Sequence, residues 1–193
     1  MATENLIPHH GIARLYNGFF SAEESLEFAR KLRDEVSWKQ EPITMFGKQI
    51  MQPRLTCWMG DQGINYSYSG IKMEGVGWTP MLLSIKAKIE PVAGVKFTGA
   101  LLNYYRDGKD SMGWHRDNEK ELGHHPVIGS VSFGGTRLFE FRDYHTKRER
   151  VSLSLSDGSL LVMAGETQDY WQHRVPRQST PALPRINITF RVI

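Results

Sequence analysis

Apolar residues that recur every three or four positions predict two helices in the first half of the chain. Ser21 and Glu24 have the spacing of a capping box at the start of the first helix. The residues expected to bury one face of this helix are Leu26, Ala29, Leu32 and Val36. The second helix is expected to start at Thr79, followed by Pro80 in its first turn, and to end at Pro91. Its apolar side would consist of Leu82, Ile85 and Ile89.

Residues 42–78, between these helices, are rich in glycine, methionine and aromatic side chains. Runs such as Met-Phe-Gly-Lys at 45–48 and Tyr-Ser-Tyr-Ser-Gly at 66–70 are typical of hairpins and loops. We therefore expect hairpins in this part of the chain.

After residue 91 the apolar residues form short runs separated by turns, which is the pattern of β-strands. The predicted strands cover residues 97–105, 127–133, 138–142, 151–155, 160–163 and 186–192. Gly-Gly at 134–135 and Asp-Gly at 107–108 and 157–158 supply turn residues between them. This spacing favours a sandwich or jelly roll over alternating strands and helices. We predict a single, mainly β domain, with helices and hairpins in residues 1–95 and the β core in residues 96–193.

Composition is that of a globular domain. The 193 residues, 40% hydrophobic and 23% charged, suffice for one core, and a net charge of +3 weakly favours anionic partners. Cys57 is the single cysteine, so it forms no internal disulfide, which fits a reducing compartment. The sequence shows neither an apolar run long enough for a membrane span nor a leader pattern. We expect a monomer in a bacterial cytoplasm that does not contact a membrane.

His115 and Asp117 are candidate metal ligands. They lie two positions apart, and in an extended segment both side chains point to the same face. His173 could supply a third ligand, and two histidines with one carboxylate form the facial triad that binds iron(II) and leaves positions open for a co-substrate and dioxygen. A histidine and an aspartate at this spacing also occur often by chance on surfaces, so this pattern alone does not establish a site.

The run Arg-Ile-Asn-Ile-Thr-Phe-Arg at 185–191 alternates polar and apolar residues. As a strand, it places Arg185, Asn187, Thr189 and Arg191 on one face and the apolar residues on the other. Arginines that point into a protein interior need an anionic partner, and a small dicarboxylate offers two carboxylates. The alternative is a half-buried strand whose arginines face water. The histidine pattern favours the first interpretation.

These motifs resemble the AlkB family of iron(II) and 2-oxoglutarate dependent dioxygenases. The resemblance extends from about residue 46 to the C-terminus and depends on segments in matching order and spacing: 103–108, 115–119, 130–134, His173 and 184–191. A distal histidine after His-x-Asp is typical of the superfamily, whereas the ending Arg-x-Asn-x-Thr-x-Arg is typical of the AlkB branch. The resemblance implies a double-stranded β-helix, or jelly roll, with an N-terminal region that recognises the nucleotide.

The family's site residues can be transferred to matching positions. The resemblance implies that His115, Asp117 and His173 bind iron, and that 2-oxoglutarate chelates the same metal. It implies that Arg185 pairs with the far carboxylate of 2-oxoglutarate. The other implied contacts of this co-substrate are Tyr105 and Asn187 beside Arg185, and Asn103 and Arg191 near the metal. In the implied reaction dioxygen and 2-oxoglutarate oxidise an N-alkyl carbon, and formaldehyde, succinate and carbon dioxide leave.

The implied substrate is alkylated DNA, single- or double-stranded, with bases of the 1-methyladenine and 3-methylcytosine type, so the implied process is direct-reversal repair of DNA damage. One alternative keeps the chemistry and changes the substrate to RNA or protein. Another is a relative that binds nucleic acid without catalysis.

Enzymes that act on a base flip it out of the duplex and stack it on flat side chains. The aromatic candidates are Trp58, Tyr66 and Tyr68, and core packing is an equal alternative for Trp58. Asn118 and Glu119 follow Asp117 and match a family segment that recognises the base. Phe46 resembles the apolar finger of the AlkB homologue that repairs duplex DNA, which favours DNA, although a buried hairpin residue is the alternative.

Several basic residues are candidates for phosphate contacts: Arg137, Arg142, Lys147, Arg148, Arg150, Arg174 and Arg177. Because acidic residues are interleaved with them, a solvated face is the alternative for several. The His-His pairs at 9–10 and 124–125 have no third ligand at suitable spacing, so we expect them on the surface. Met59 stands where many relatives have tyrosine, which leaves the substrate preference open.

Overall fold

The computed structural model describes residues 3–45, 48–64, 66–68, 71–73, 76–179 and 181–193, and at 44–45, 66–68 and 71–73 it describes the backbone. Its main feature is a pair of antiparallel sheets. The major sheet contains, in spatial order, β1 (Ile12–Tyr16), β12 (Ser159–Ala164), β9 (Ile128–Gly134), β14 (Arg185–Arg191), β7 (Gly99–Tyr105) and β4 (Leu55–Gly60). The minor sheet contains β11 (Arg150–Leu155), β10 (Arg137–Asp143), β13 (Trp171–Val175) and β8 (Met112–His115).

A shared apolar cluster joins the inner faces of the two sheets. Tyr105 and Leu161 of the major sheet pack in the same buried cluster as Phe139, Trp171 and Val175 of the minor sheet. This arrangement is the predicted jelly roll, and the six strands predicted after residue 91 agree with it to within two residues. The predicted strands did not include β1, β8 or β13, because strands of four or five residues show too few alternations of apolar and polar side chains to be recognised.

Two hairpins lie between the helices, as predicted. They consist of β2 (Pro42–Met45) with β3 (Lys48–Met51) and β5 (Tyr66–Tyr68) with β6 (Ile71–Met73). The sheets do not begin at residue 95, where we divided the chain. β1 and β4 precede this residue and form the two outer strands of the major sheet.

The first helix, α1 (Ala22–Glu35), has the predicted capping box. Ser21 Oγ accepts a hydrogen bond from Glu24 N at 3.1 Å, and Ser21 N donates to Glu24 Oε2 at 2.8 Å. Leu32 and Val36 are buried as expected, but the prediction for Leu26 is wrong, since it is 74% exposed. The reason is that α1 presents the side containing Phe28 and Leu32, rather than Leu26, to the sheet.

The second helix, α2 (Pro80–Ala93), continues past Pro91, so its predicted end is wrong. Proline lacks the N–H that would donate to the carbonyl of Ala87, yet the helix continues through Val92 and Ala93. The helix ends at Gly94, whose φ of +73° is a conformation that glycine adopts without strain. The buried residues of α2 include the predicted Leu82, Ile85 and Ile89.

Both helices pack on the outer face of the major sheet. Ile186, Ile188 and Phe190 of β14 join the cluster that contains Leu32 and Ile85. The polar residues of β14 therefore point the other way, into the space between the sheets. The remaining helices are short: α3 (Thr167–Tyr170) and a 3-10 turn at Lys120–Leu122. Among the helices described, none is long and apolar enough to cross a membrane.

Candidate active site

Three predicted metal ligands converge between the sheets. His115 at the end of β8 pairs in register with His173 in the neighbouring β13, and Asp117 follows β8 by two residues. One ligand atom from each residue lies within 4.8 Å of the other two, so a single ion can contact all three. Within the described ranges this is the one group of three or more histidine, cysteine or acidic residues with such geometry.

A β-bulge shapes this part of the site. The pairing between β13 and β8 shifts between the His115 and Met112 positions, so both residues line the same cavity although they lie three apart. Trp114 contacts Arg142 and Arg174, whose half-buried side chains lie on the outer side of the minor sheet. Alternation along the strand turns His115 inward and Trp114 outward, and the bulge brings Met112 back to the inner face.

The environment prepares His115 for metal binding. Its Nδ1 lies 2.8 Å from the carbonyl oxygen of Gly113 and must carry the proton, because a carbonyl only accepts hydrogen bonds. This leaves Nε2 available as a ligand. Burial, reinforced by the charge of nearby His173, lowers the pKa of His115 to about 3. The imidazole is thus neutral at physiological pH.

Arg191 holds the metal-ligating carboxylate in its charged form. Arg191 Nη2 lies 2.6 Å from Asp117 Oδ1, and His173 Nε2 lies 3.5 Å from Asp117 Oδ2. Burial by itself would raise the pKa of Asp117, but the Arg191 charge and the His173 contact outweigh it and hold that pKa well below its ordinary value. The backbone N–H of Asp117 also donates to Gln168 Oε1 at 2.9 Å, which fixes the segment.

Arg185 forms the cationic end of the same cavity. It is 1% exposed, its Nη2 donates to Ser132 Oγ at 2.9 Å, and its guanidinium lies 5.2 Å from the centre of the Tyr105 ring. Nε and Nη1 of Arg185 are buried and have no hydrogen-bond partner among the described residues. Burial lowers the pKa of Arg185 to about 10, so it stays protonated at neutral pH. Such a cation fits the carboxylate of a small diacid.

The two predicted asparagines also line this cavity. Asn187 Nδ2 donates to Ser130 Oγ at 2.8 Å and to Val131 O at 2.9 Å. Asn103 Oδ1 accepts from Nε of Arg54 at 2.8 Å. The predicted co-substrate residues therefore share one cavity with the triad, although their individual roles stay predictions.

Arg54 is a site residue that sequence analysis missed. It is 3% exposed, and its Nη2 is buried without a partner in the described part of the chain. It lies in the bend just before β4, where neither periodicity nor spacing identifies a buried arginine. Its hydrogen bond to Asn103 connects it to the lining of the cavity.

The predicted base-binding residues have different surroundings. Trp58 is 3% exposed and packs with Leu101 and Leu122, and a side chain on Gly99 would overlap its ring. Asn118 is exposed and Glu119 is half-buried. Phe46 lies outside the described residues, and the side chains of Tyr66 and Tyr68 do too. The substrate roles of all these residues stay predictions.

Arg137 was predicted as a phosphate contact, and the structure corrects this. It is fully buried, and its guanidinium donates to the carbonyl oxygens of Asp107, Asp110 and Pro176 at 3.1, 2.8 and 2.8 Å. These hydrogen bonds engage the guanidinium group of Arg137 and connect two loops.

The histidine pairs form separate surface contacts: His9 with Glu149, His10 with Glu166 and His125 with Asp169.

Comparison with known proteins identifies relatives over almost the whole chain. The family model of the 2OG-Fe(II) oxygenase superfamily matches residues 12–191. The chain is 43% identical over 195 residues to alpha-ketoglutarate-dependent dioxygenase alkB homolog 3 of Mus musculus. The matched region covers 95% of this chain and 67% of that protein. It is 37% identical over 193 residues to DNA oxidative demethylase ALKBH2 of Mus musculus, covering 95% and 81%.

The fold also matches a solved structure, that of OsALKBH1. The TM-score is 0.67 with full coverage of both chains, and at 16% identity this likeness concerns the fold alone.

Proposed function

Because the chain belongs to the AlkB family within the 2OG-Fe(II) oxygenase superfamily, we propose that it oxidatively removes alkyl groups from N-alkylated bases in DNA, of the 1-methyladenine and 3-methylcytosine type. Its class is that of an iron(II)- and 2-oxoglutarate-dependent dioxygenase. The proposed process is direct-reversal repair of alkylation damage.

One observation carries the proposal. Three candidate iron ligands share a buried cavity with a protonated arginine, Arg185, whose Nε and Nη1 lack hydrogen-bond partners among the described residues. Three protein ligands leave positions for a bidentate co-substrate and dioxygen. The buried cation supplies the partner for the carboxylate of 2-oxoglutarate that does not reach the metal.

The residues around the metal would act by positioning and by charge. Iron(II) with 2-oxoglutarate would supply the oxidation: dioxygen and 2-oxoglutarate are consumed, the bond between the base nitrogen and the methyl carbon breaks, and formaldehyde, succinate and carbon dioxide form while the third methyl hydrogen remains with the nitrogen or leaves as a proton. His115, Asp117 and His173 would hold the iron, and Arg191 keeps Asp117 ionised so that a proton does not compete. Arg185 would orient 2-oxoglutarate through its far carboxylate, with Tyr105 and Asn187 beside it.

DNA is the proposed substrate because one set of relatives carries the name DNA oxidative demethylase. The choice of N-alkylated bases follows the family resemblance, which also assigns base recognition to Asn118 and Glu119, directly after Asp117. Asn118 is exposed and Glu119 is half-buried. Recognition of a flipped base through polar groups and stacking is how enzymes of this kind select their target.

Formaldehyde release tests the proposal. The purified protein with iron(II), ascorbate and 2-oxoglutarate should release formaldehyde from oligodeoxynucleotides that contain 1-methyladenine or 3-methylcytosine. His173→Ala should abolish the release, whereas His125→Ala, which removes a surface histidine, should not. Matching RNA oligomers and methylated peptides form the other arms. Release from RNA or peptide but not from DNA would overturn the choice of substrate, and no release from any arm would overturn the reaction.

A further inference from the structure

An apolar groove of about 400 Å³ lies beside α1, on the helix side of the major sheet. The buried side chains of Phe133 and Ile186 lie at its base, and residues 183–184 line it opposite the helix. The reaction does not use this groove. Ile186 faces it, whereas Arg185, the preceding residue of β14, faces the cavity between the sheets. The residues of α1 that line the groove are Leu26, Ala29, Arg30 and Arg33.

Two exposed leucines border the apolar groove. Leu26 is 74% exposed and Leu183 is 76% exposed, which are the largest fractions among the large apolar residues that the structure describes. A single exposed leucine is ordinary on a protein surface. Two of them beside one groove form a contiguous apolar patch, and such patches are typical of surfaces that a partner covers.

The turn that follows β9 holds one side of the groove in place. Gly135 N donates to Pro184 O at 2.8 Å, and a side chain on Gly135 would overlap Leu183 O. This close contact between two backbone segments fixes residues 183–184 against the turn. A partner can therefore bind the exposed Leu183 without first ordering the segment that carries it.

The exposed side of α1 carries one acid and one base on either side of Leu26. Glu23 lies three residues before Leu26 and Arg30 lies four residues after it, so the three side chains share one side of the helix. Both charged residues are exposed, and neither forms an ion pair with another described residue. Other charges on α1 are paired, at 2.6, 2.8 and 2.7 Å: Glu27 with Lys31, Asp34 with Arg33 and Glu24 with Lys88.

This arrangement of charges is complementary to itself. In an interface with two-fold symmetry, residue i of one copy contacts residue j of the other, and j contacts i. Two copies of α1 that pack antiparallel, with the symmetry axis beside Leu26, place Glu23 of each copy opposite Arg30 of the other. The two Leu26 side chains then meet at the axis and leave water. Parallel packing would instead bring like charges together.

We propose that the exposed side of α1 and the apolar groove form the interface of a symmetric dimer, whose partner is a second copy of this chain. The opposite charges on either side of Leu26 favour this occupant, because one stripe supplies both halves of each ion pair. A single helix and one groove form a small interface, so we expect a weak dimer with a Kd of about 100 µM. The inference does not depend on the proposed function, since this surface and the cavity lie on opposite faces of β14.

Charge reversal in the full chain tests the proposed pairing. Glu23→Arg and Arg30→Glu each place like charges opposite one another, and each should raise the Kd of the dimer about tenfold or more. The double variant Glu23→Arg with Arg30→Glu restores opposite charges at both contacts. Its Kd should return to within about threefold of the wild-type value. Sedimentation equilibrium between about 10 µM and 1 mM measures these constants.

A mixture of the two single variants separates this pairing from a general effect of charge. At the two interface positions, the Glu23→Arg chain carries two cations and the Arg30→Glu chain carries two carboxylates. An equal mixture should therefore form a heterodimer that is tighter than the homodimer of either variant. Single variants that associate no better when mixed would overturn the antiparallel pairing.

Leu26→Ala tests the apolar part of the interface. It should raise the Kd about tenfold, because each copy loses a side chain that the dimer buries. The matched control is Leu83→Ala on α2, where the leucine is 45% exposed and lies outside the proposed interface, and it should leave the Kd unchanged. Thermal unfolding shows whether each variant remains folded.

Two results would overturn the inference as a whole. One is a monomer at every concentration, which is the state expected from the sequence, and the other is a dimer that Glu23→Arg and Leu26→Ala leave unchanged. Titration with decanoate, an apolar chain with one carboxylate, tests a different occupant. A monomeric protein that binds decanoate, and loses this binding in Leu26→Ala, would assign the groove to a small amphiphile instead of a second copy.

Discussion

Individual charged residues in the cavity are placed so that each keeps one protonation state. His115 is neutral because its desolvation and the neighbouring histidine lower its pKa, whereas Asp117 is ionised because Arg191 contacts it. Arg185 has no carboxylate partner among the described residues and still stays protonated. Keeping this charge buried without a carboxylate partner lowers the stability of the folded protein, and binding of an anion would neutralise the charge.

Loss of Arg185 should weaken co-substrate binding more than any other single change at this end of the cavity. Arg185→Gln should raise the Kd for 2-oxoglutarate by about 30-fold or more, because a charged hydrogen bond contributes about 2 kcal/mol. Arg185→Lys keeps the charge but cannot form two parallel hydrogen bonds to a carboxylate, so its Kd should lie between those of the wild type and Arg185→Gln. Isothermal titration with manganese(II) in place of iron measures these constants. Equal affinity in wild type and Arg185→Gln would contradict the assignment.

Loss of Arg191 should make metal binding sensitive to acid. Without its charge, the burial of Asp117 is opposed mainly by the His173 contact, so the pKa of this carboxyl rises and protons compete with the ion at a higher pH. We expect the metal affinity of Arg191→Met to decline on acidification earlier than that of the wild type. Metal titrations between pH 5 and 8 test this, with the exposed Arg33→Met as control. Identical pH profiles would refute the prediction.

The residue scale also shows what a sequence can predict. Alternation along β14 is sufficient to place Arg185 and Arg191 on one face, because side chains in a strand alternate strictly. No such rule reaches Arg54 or Arg137, which lie in a bend and at a strand end, and whose burial depends on carbonyl and amide partners far along the chain. The prediction for Leu26 is wrong for a different reason. Helical spacing identifies an apolar stripe along the helix, but it does not determine which side of the helix faces the sheet.

At the scale of elements, the connection between β7 and β8 is held by ionic contacts. Asp110 is buried and accepts hydrogen bonds from Arg106 Nε and Nη2 at 2.7 and 2.9 Å, and Arg137 donates to its backbone carbonyl. This loop leads directly into the strand that ends at His115. Its rigidity therefore affects the position of the metal ligands.

This loop should give the protein a defined dependence on pH. Burial tends to raise the pKa of Asp110, but the bonds from Arg106 dominate and the pKa is lowered. The contribution to stability is fully present above the ordinary aspartate pKa of about 3.9, and it is lost as pH falls through the lower folded value. Asp110→Asn should destabilise the fold by about 2 kcal/mol at pH 7, with a smaller deficit in acid. Urea unfolding at pH 3 and 7 checks this.

The exposed Asp34→Asn serves as the control for that experiment, because Asp34 pairs with Arg33 on the surface of α1. It should change stability by much less at either pH. A deficit of Asp110→Asn that stays constant from pH 7 to pH 3 would show that the carboxylate charge is not the source of the stabilisation.

Across the whole molecule, chemistry and support are divided between faces. The helices cover one side of the major sheet, and the cavity lies on its other side, between the two sheets. The periodicities of two and of about 3.6 residues could predict the strands and helices, since they describe local geometry. They could not predict which strands become neighbours, as β1 next to β12 shows.

Metal and co-substrate together should stabilise the whole fold. A ligand at one hundred times its Kd adds about 2.7 kcal/mol, which for a chain of this size corresponds to about 5 to 10 °C in Tm. Manganese(II) with 2-oxoglutarate should produce this increase, and chelation should reverse it. Differential scanning calorimetry measures the change, with His173→Ala as the variant that should not respond. A response equal to that of the wild type would contradict the ligand assignment.

The strand β14 is the meeting point of these faces, with Ile186, Ile188 and Phe190 toward the helices and the two arginines toward the cavity. Inserting or deleting a single residue within it would exchange the two sets, since a shift of one position reverses every side chain. The guanidinium groups of Arg185 and Arg191 would then point into the apolar cluster beneath the helices, and Ile186 and Ile188 would point into the cavity. The length of this segment is therefore as constrained as its composition, and inserting or deleting one residue here should disrupt both folding and catalysis.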